Sequence, residues 1–440
     1  EAAPFYNEEK KIDDVTVVHH NIFSNGIIYL SLLFDIEHIA AEDIPYLGIL
    51  KGVLGYMDTE HYTYADFANE VNIHTGGIGS SIGIYPGTKT QNDYKAKFEV
   101  RAKALPDEIK TAVHLMEEML FGSKFEDEKR LYEIIAELKS RLQVSISSAG
   151  HSVASTRAMS YFSKAAAYKD SIQFYELLCD LEAHFEEKKE MLTAKLRTLT
   201  KQIFTRENLI CSVTCDENGY SNAKTALESF LPKLFATVDR WGRTEIIPEK
   251  KNEGFMDASQ VMYVARAGNF RAHGYDYTGA LRILKVIMEY DYLWINIRVK
   301  GGAYGCMNGY MKNGDTYFAS YRDPNLEKTN EIYNKIPDYI EHFAADERDM
   351  TKYIIGTLSD LDIPMNPSTK GDRSMAAYLQ DISYDEVQKE RDQILTATQE
   401  DIRGLKDMIA SVLEENNLCA VGNEEVLQAG KEMFMELKHF

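Results

Sequence analysis

Much that would make this 440-residue chain easy to classify is missing from it. No stretch of eighteen consecutive apolar residues occurs, so no helix is apolar enough for long enough to span a bilayer, and no membrane partner is expected. The first thirty residues lack the basic-then-apolar order of a secretory signal, although the chain starts at Glu1 rather than Met, which fits a processed chain or an excised fragment. Cysteine is scarce. Cys179, Cys211, Cys215, Cys306 and Cys419 form an odd, scattered set that fits a reducing compartment, cytoplasm or organelle matrix, better than a disulfide framework. Cys211 and Cys215 lie in NLICSVTC, a strand-like run whose neighbours mark them as buried thiols. Basic clusters are also missing. With 49 Lys and Arg against 69 Asp and Glu the formal charge is -20, which argues against nucleic acid and suits a cationic partner. Among eleven histidines no two are four apart, so neither HxxEH nor HExxH exists and no local zinc motif is present. GxxxxGK[ST] is absent and GGIGSSIG misses the GxGxxG spacing, which leaves nucleotide binding without support.

What is present is ordinary in bulk and repetitive in order. Apolar residues make up 44% and charged residues 27%, the values of a folded globular protein, and the length calls for two domains. VTVVHHNIF and IIYLSLLFDI flank Ser24-Asn25-Gly26, which reads as a hairpin of two paired strands. His19 and His20 are adjacent in the first of these, so their rings point to opposite faces and read as structural. Two helices follow, YLGILKGVLGYM after Pro45 and YTYADFANEVNIH before Gly76-Gly77, then the strand-like IGSSIGIY and YKAKFEVRAKAL, then a helix from PDEIKTAVHLMEEML.

The same order recurs downstream. QVMYVARAG is strand-like, and YTGALRILKVIMEYDYLWINI is a long apolar helix ending before Gly301-Gly302. YGCMNGYM and TYFASY form a hairpin across KNGD, and NLEKTNEIYNKIPDYIEHF reads as one helix. EIIAELKSRL at 133–142 is echoed by YIIGTLSDLD at 353–362. ENLICSVTCDE is echoed by NNLCAVGNEE, each leading into a helix with a Lys-rich close. The offset stays between about 209 and 233 residues, a drift that short loop insertions account for. The seam falls in residues 237–257, charged and without apolar period. The expected organisation is therefore α+β, two similar domains with helices on one face of a mainly antiparallel sheet. The first repeat is expected over 1–243, a linker over 244–257 and the second repeat over 258–440.

Two stretches carry candidate chemistry. Gly79-Ser80-Ser81-Ile82-Gly83 satisfies GxSxG, the serine-hydrolase elbow, but the turn Ile84-Tyr85-Pro86-Gly87 and another strand follow it where a helix is needed. Ser81 as a nucleophile is kept only as an alternative. The other stretch is RVKGGAYG at 298–305. Paired glycines allow a sharp bend after the helix, and the bend brings Arg298 and Tyr304 to one side. There an arginine fork would hold a peptide carbonyl and a phenol would donate to a developing oxyanion. The structural alternative makes Arg298 a helix C-terminal cation and Tyr304 a half-buried strand aromatic.

The run IRVKGGAYG, its partner NIHTGGIGSS and the duplicated layout resemble the C-terminal half of insulinase-like (pitrilysin-type) zinc metallopeptidases, in the branch of presequence proteases and falcilysin. The likeness covers the whole chain as a layout, and RVKGGAYG is its one specific motif. It implies that two halves, each of two similar domains, close round a peptide. The N-terminal half carries HxxEH and the zinc, and this chain supplies Arg298 and Tyr304 to the substrate on a turn shaped by Gly301 and Gly302. The departure is equally informative. Laid on the family's zinc helix, Tyr46, Ile49 and Leu50 fall where His, Glu and His belong, so this chain alone is expected to bind no metal or cofactor and to cleave nothing by that route. The partners so implied are an N-terminal catalytic half of the same protein and unstructured peptides, basic ones by charge. The alternative is a free-standing, non-enzymatic subunit that binds peptides or a partner enzyme.

Overall fold

Strands come first in each repeat, and their pairing is not that of neighbours in sequence. The computed structural model describes residues 1–172, 175–237 and 242–440, so residues 238–241 of the expected seam lie outside the described residues. In the first repeat the strands are β1 (Glu8–Ile12), β2 (Val15–Asn21), β3 (Ile28–Asp35), β4 (Ile78–Pro86), β5 (Tyr94–Ala104) and β6 (Leu209–Cys215). They form one sheet in the order β1-β2-β6-β3-β5-β4. The second repeat has β7 (Glu253–Asp257), β8 (Met262–Asn269), β9 (Gly305–Tyr310), β10 (Asp315–Tyr321), β11 (Asn417–Asn423) and β12 (Glu436–His439), in the order β12-β7-β11-β8-β10-β9. From the second strand onward the two orders correspond place by place. In both sheets the late strand runs parallel to one early strand and antiparallel to the other. The edge strands differ: β1 precedes and is antiparallel to β2, whereas β12 comes from the far end of the chain and is parallel to β7.

Three expectations are corrected here. β2 and β3 are not a hairpin, because β6 lies between them with Cys211 opposite Val17 on one side and Leu32 on the other. Asn25 and Gly26 do adopt positive φ, 54° and 83°, but Ile22 still donates to Cys215 of β6, so the turn leads the chain across the end of β6. The stretch 244–257 is not wholly a linker, since Glu253–Asp257 is strand β7. Its start is pinned to the first repeat, with Thr244 N–H donating to Glu37 O (2.7 Å), just after Arg243 Nη2 donates to Tyr94 O (2.8 Å). The chain end is not a long helix either: after the short helix Glu424–Ala429 it turns into β12.

The first repeat's helices are α1 (Ile44–Val53), α2 (Tyr64–His74), α3 (Ile109–Gly122), α4 (Glu128–Ser148), α5 (Gly150–Ser160), α6 (Lys164–Ser171), α7 (Tyr175–Ala183), α8 (Phe185–Ile203) and α9 (Glu217–Phe230). In the second come α10 (Ala280–Ile287) with its π-helical continuations Met288–Tyr292 and Trp294–Val299, then α11 (Glu327–Asn334), α12 (Ile336–Glu341), α13 (Glu347–Leu361) and α14 (Pro367–Gln380). The helix read over 325–343 is split into α11 and α12 because Pro337 has no N–H to continue the ladder and fits only a first turn.

Each repeat's own helices cover one face of its sheet and enclose a separate apolar core. The other face is covered by a helix of the sibling repeat. α5 lies on β8, β10 and β11, burying Ala154, Ala158 and Met159 against Tyr263, Ala265 and Cys419. α14 lies on β2, β4, β5 and β6, with Met375 and Leu379 against Val18 and Leu33. The exchange is reciprocal and both helices sit close. A Cβ on Gly150 would run into the Tyr263 ring, and one on Gly371 into Thr214 Oγ1.

Candidate functional site

RVKGGAYG lies where the long helix of the second repeat stops and its outer hairpin begins. The last turns are π-helical, with Lys300 N–H bonded to Ile295 O at 2.9 Å, a geometry that inserts an extra residue per turn and recurs at functional sites. Gly302 closes the helix at φ 84°, its N–H on Arg298 O, while Ala303 reaches back to Ile297 O. A side chain is unfavourable there and is blocked at Gly301, where a Cβ would meet Ile297 O at 2.5 Å. Asn325 fastens the bend by donating to Gly301 O (2.7 Å). Tyr304 N–H then joins the strands through Tyr321 O at 3.0 Å.

The bend brings Arg298 and Tyr304 together. The Arg298 guanidinium donates to Tyr304 O and lies 5.2 Å from the centroid of the Tyr304 ring and 4.6 Å from that of Trp294. Tyr304 is 63% exposed, leans on Tyr321 (5.9 Å between ring centroids), and its hydroxyl makes no hydrogen bond among the described residues. The purely structural alternative expects a half-buried strand aromatic, and that is not what Tyr304 is. Trp294, 40% exposed, is a member of this face that the sequence reading does not single out. Its signal is its place one helical turn before Arg298, where side chains share a face. With Tyr290, Ile295 and Val299 also exposed, the surface beside the pair is apolar and aromatic.

The remaining candidates separate from this face. Ser81 sits within strand β4, Oγ 3.4 Å from Glu99 Oε2, with no strand-to-helix elbow, so the hydrolase alternative loses the geometry it requires. Cys211 and Cys215 are buried, and burial pushes both thiols up to about 12. His19 and His20 are fully buried and hydrogen-bonded to Cys215 O and Tyr6 O. His19 also lies with Glu8 and Glu217 in a cluster of metal-ligating types, but Lys10 Nζ already reaches all three at 2.9 to 3.7 Å. On the helix that would hold zinc, Ile49 and Leu50 are buried in the core and Tyr46 packs against it, so these side chains do not fit a zinc ion.

Residues 2–181 match the family model of the domain associated with M16 peptidases of subfamily C, and residues 252–424 match the "PreP C-terminal domain". The chain belongs to the pitrilysin-type peptidases, as their C-terminal half. Across its full length it is 36% identical to "Protein HypA" of Clostridium perfringens, covering 45% of that protein. It is 28% identical over 97% of its length to "Presequence protease 1, chloroplastic/mitochondrial" of Arabidopsis thaliana, covering 40% of it. The chain thus spans less than half the length of these curated relatives. Among solved structures, the "peptidase M16 inactive domain" from Pseudomonas fluorescens superposes with a TM-score of 0.63 at 14% identity, over 95% of this chain and 98% of that one. A conserved protein from Enterococcus faecalis does so with a TM-score of 0.68 at 12% identity, over 95% and 99%. These likenesses establish the α+β fold of two similar domains.

Proposed function

We propose that this chain is the non-zinc half of a metalloendopeptidase chamber for unstructured peptides. Zinc and the general base belong to the N-terminal half. This half closes over the peptide, with Arg298 holding a backbone carbonyl and Tyr304 donating to the oxyanion as the bond is attacked. Gly301 and Gly302 shape the turn that presents both. The observation carrying this reading is the exposed, unengaged Tyr304 hydroxyl beside a guanidinium steadied by two aromatic rings. Oxyanion donors act through O–H groups left free for the transition state, and a merely structural tyrosine has no need of one. The net charge of -20 favours basic peptides, and the five free cysteines favour the cytoplasm or an organelle matrix.

The test uses the two halves together, as separate chains or as the full-length protein. Tyr304→Phe is expected to lower kcat by about 10²-fold with an unchanged melting temperature, as loss of one oxyanion donor does. Unchanged turnover removes Tyr304 from the chemistry. If this chain is instead a free-standing binding subunit, no upstream HxxEH half exists in its gene, and adding a related catalytic half yields no chelator-sensitive cleavage.

A further inference from the structure

A cavity of about 460 Å³ opens between the two repeats, away from RVKGGAYG. Its walls are the turn after β4, the first turns of α10 and the turn joining β9 to β10. In a chain with a formal charge of -20, the wall holds Arg282, Lys285 and Lys312 and no acidic residue. Glu390, behind the wall, is the one carboxylate that two of them share, at 2.5 Å from Arg282 Nε and 3.5 Å from Lys312 Nζ. Lys285 has Glu289 no nearer than 4.0 Å. The cavity therefore keeps an excess of positive charge.

Two wall hydroxyls add an independent observation. Thr88, only 9% exposed, and Tyr310 both carry buried oxygens with no hydrogen-bond partner among the described residues. Buried hydroxyls in native proteins nearly always have partners, so two orphans in one basic cavity mark a place for a ligand with acceptor atoms. The wall is also fixed in place. Arg271 of the second repeat donates to Thr88 O (2.9 Å) and to Lys312 O (2.7 Å), tying the two turns together across the repeat boundary.

We infer that this cavity binds a small phosphate-bearing anion. Arg282, Lys285 and Lys312 neutralise it, and Thr88 and Tyr310 donate their hydroxyl protons to it. Three cations against Glu390 and, at 4.0 Å, Glu289 leave the wall net positive, and their several N–H donors match the several oxygens of a phosphoryl group. The volume is that of a small-molecule site rather than of a lone ion.

Titration calorimetry with inorganic pyrophosphate on the chain as it stands tests this. Saturable one-to-one binding is expected, weakening with salt and raising the melting temperature. Lys285→Gln, at a half-exposed position, should weaken binding about tenfold or more. Thr88→Val and Tyr310→Phe should each weaken it while leaving the ligand-free melting temperature unchanged or raised, because the oxygens they remove bond nothing in the free protein. Absence of saturable heat at millimolar pyrophosphate overturns the assignment, as does equal affinity in all three variants. So does tighter binding of acetate or of a free-acid peptide than of pyrophosphate, which would make the cavity a carboxylate site.

Discussion

At the scale of single residues, the polar groups that matter are those whose environment leaves them either unengaged or over-constrained. The Tyr304 hydroxyl belongs to the first kind, and Arg298 holds the Tyr304 carbonyl beside it. The planar fork of Arg298 lies between the rings of Trp294 and Tyr304, an arrangement an ammonium group does not reproduce. Arg298→Lys in the paired halves is expected to lower kcat/KM by about tenfold or more with folding intact, and equal kcat/KM would show that charge alone suffices. Asp315 is of the second kind. Burial pushes its carboxyl up to about 6, even though Ser163, Asn269 and Asn313 hydrogen-bond to it. With the folded value above the ordinary 3.8, the proton is held more tightly in the native state. This contribution to stability is complete below pH 3.8 and lost as pH rises through 6, about 3 kcal/mol in all. Urea midpoints of the parent and of Asp315→Asn should therefore diverge in the parent's favour between pH 7 and pH 4, and parallel profiles would refute the linkage.

Elements show why part of the architecture was legible and part was not. RVKGGAYG could be read because paired glycines after an apolar helix have few structural uses, and the bend, the strand after it and the meeting of Arg298 with Tyr304 all follow from them. Repeat order was legible through EIIAELKSRL and YIIGTLSDLD, which fall in α4 and α13. Strand β7 was not, because EGFMD has a glycine, two acids and no alternation, and is strand only because β11 and β12 pair with it. Nor was the insertion of β6 between β2 and β3, a pairing between residues almost two hundred apart that no local pattern encodes. The π-helical turns were hidden too, since they share the apolar periodicity of an ordinary helix. The exchanged helices make a further prediction at this scale. Gly371→Leu must push α14 off Thr214, and destabilisation of about 1–3 kcal/mol in denaturant is expected. Gly79→Ala, where a Cβ meets no neighbouring atom and φ is not positive, serves as the control for glycine loss.

For the whole molecule, the two repeats are held by charge as well as by exchanged helices. Arg157 on α5 reaches Glu253 of β7 at 2.8 Å and Asp170 of α6 at 2.7 Å, and Lys438 of β12 reaches Glu253 at 2.9 Å. Burial opposes charge on Glu253, but the hydrogen bonds and charge of Arg157, with Lys438 and Tyr161, hold its carboxyl down at about 2. With the folded value below the ordinary 4.5, this stabilisation is complete above pH 4.5 and lost as pH falls toward 2. Arg157→Met leaves buried Asp170 without its paired cation and Glu253 with Lys438 alone, and is expected to cost about 3–5 kcal/mol, read as a lowered melting temperature at pH 7 that partly recovers near pH 4. An unchanged melting temperature would mean that Lys438 alone suffices.

The reciprocal helix exchange also sets an order of events on the ribosome. The strands of the first sheet have all been synthesised once Cys215 is made, yet the helix that shields its second face begins at Pro367. At ordinary translation speeds the nascent chain waits on the order of ten seconds with Val18 and Leu33 uncovered. That interval is a window for chaperones, and for mispairing with another unfinished copy, which the finished protein no longer offers.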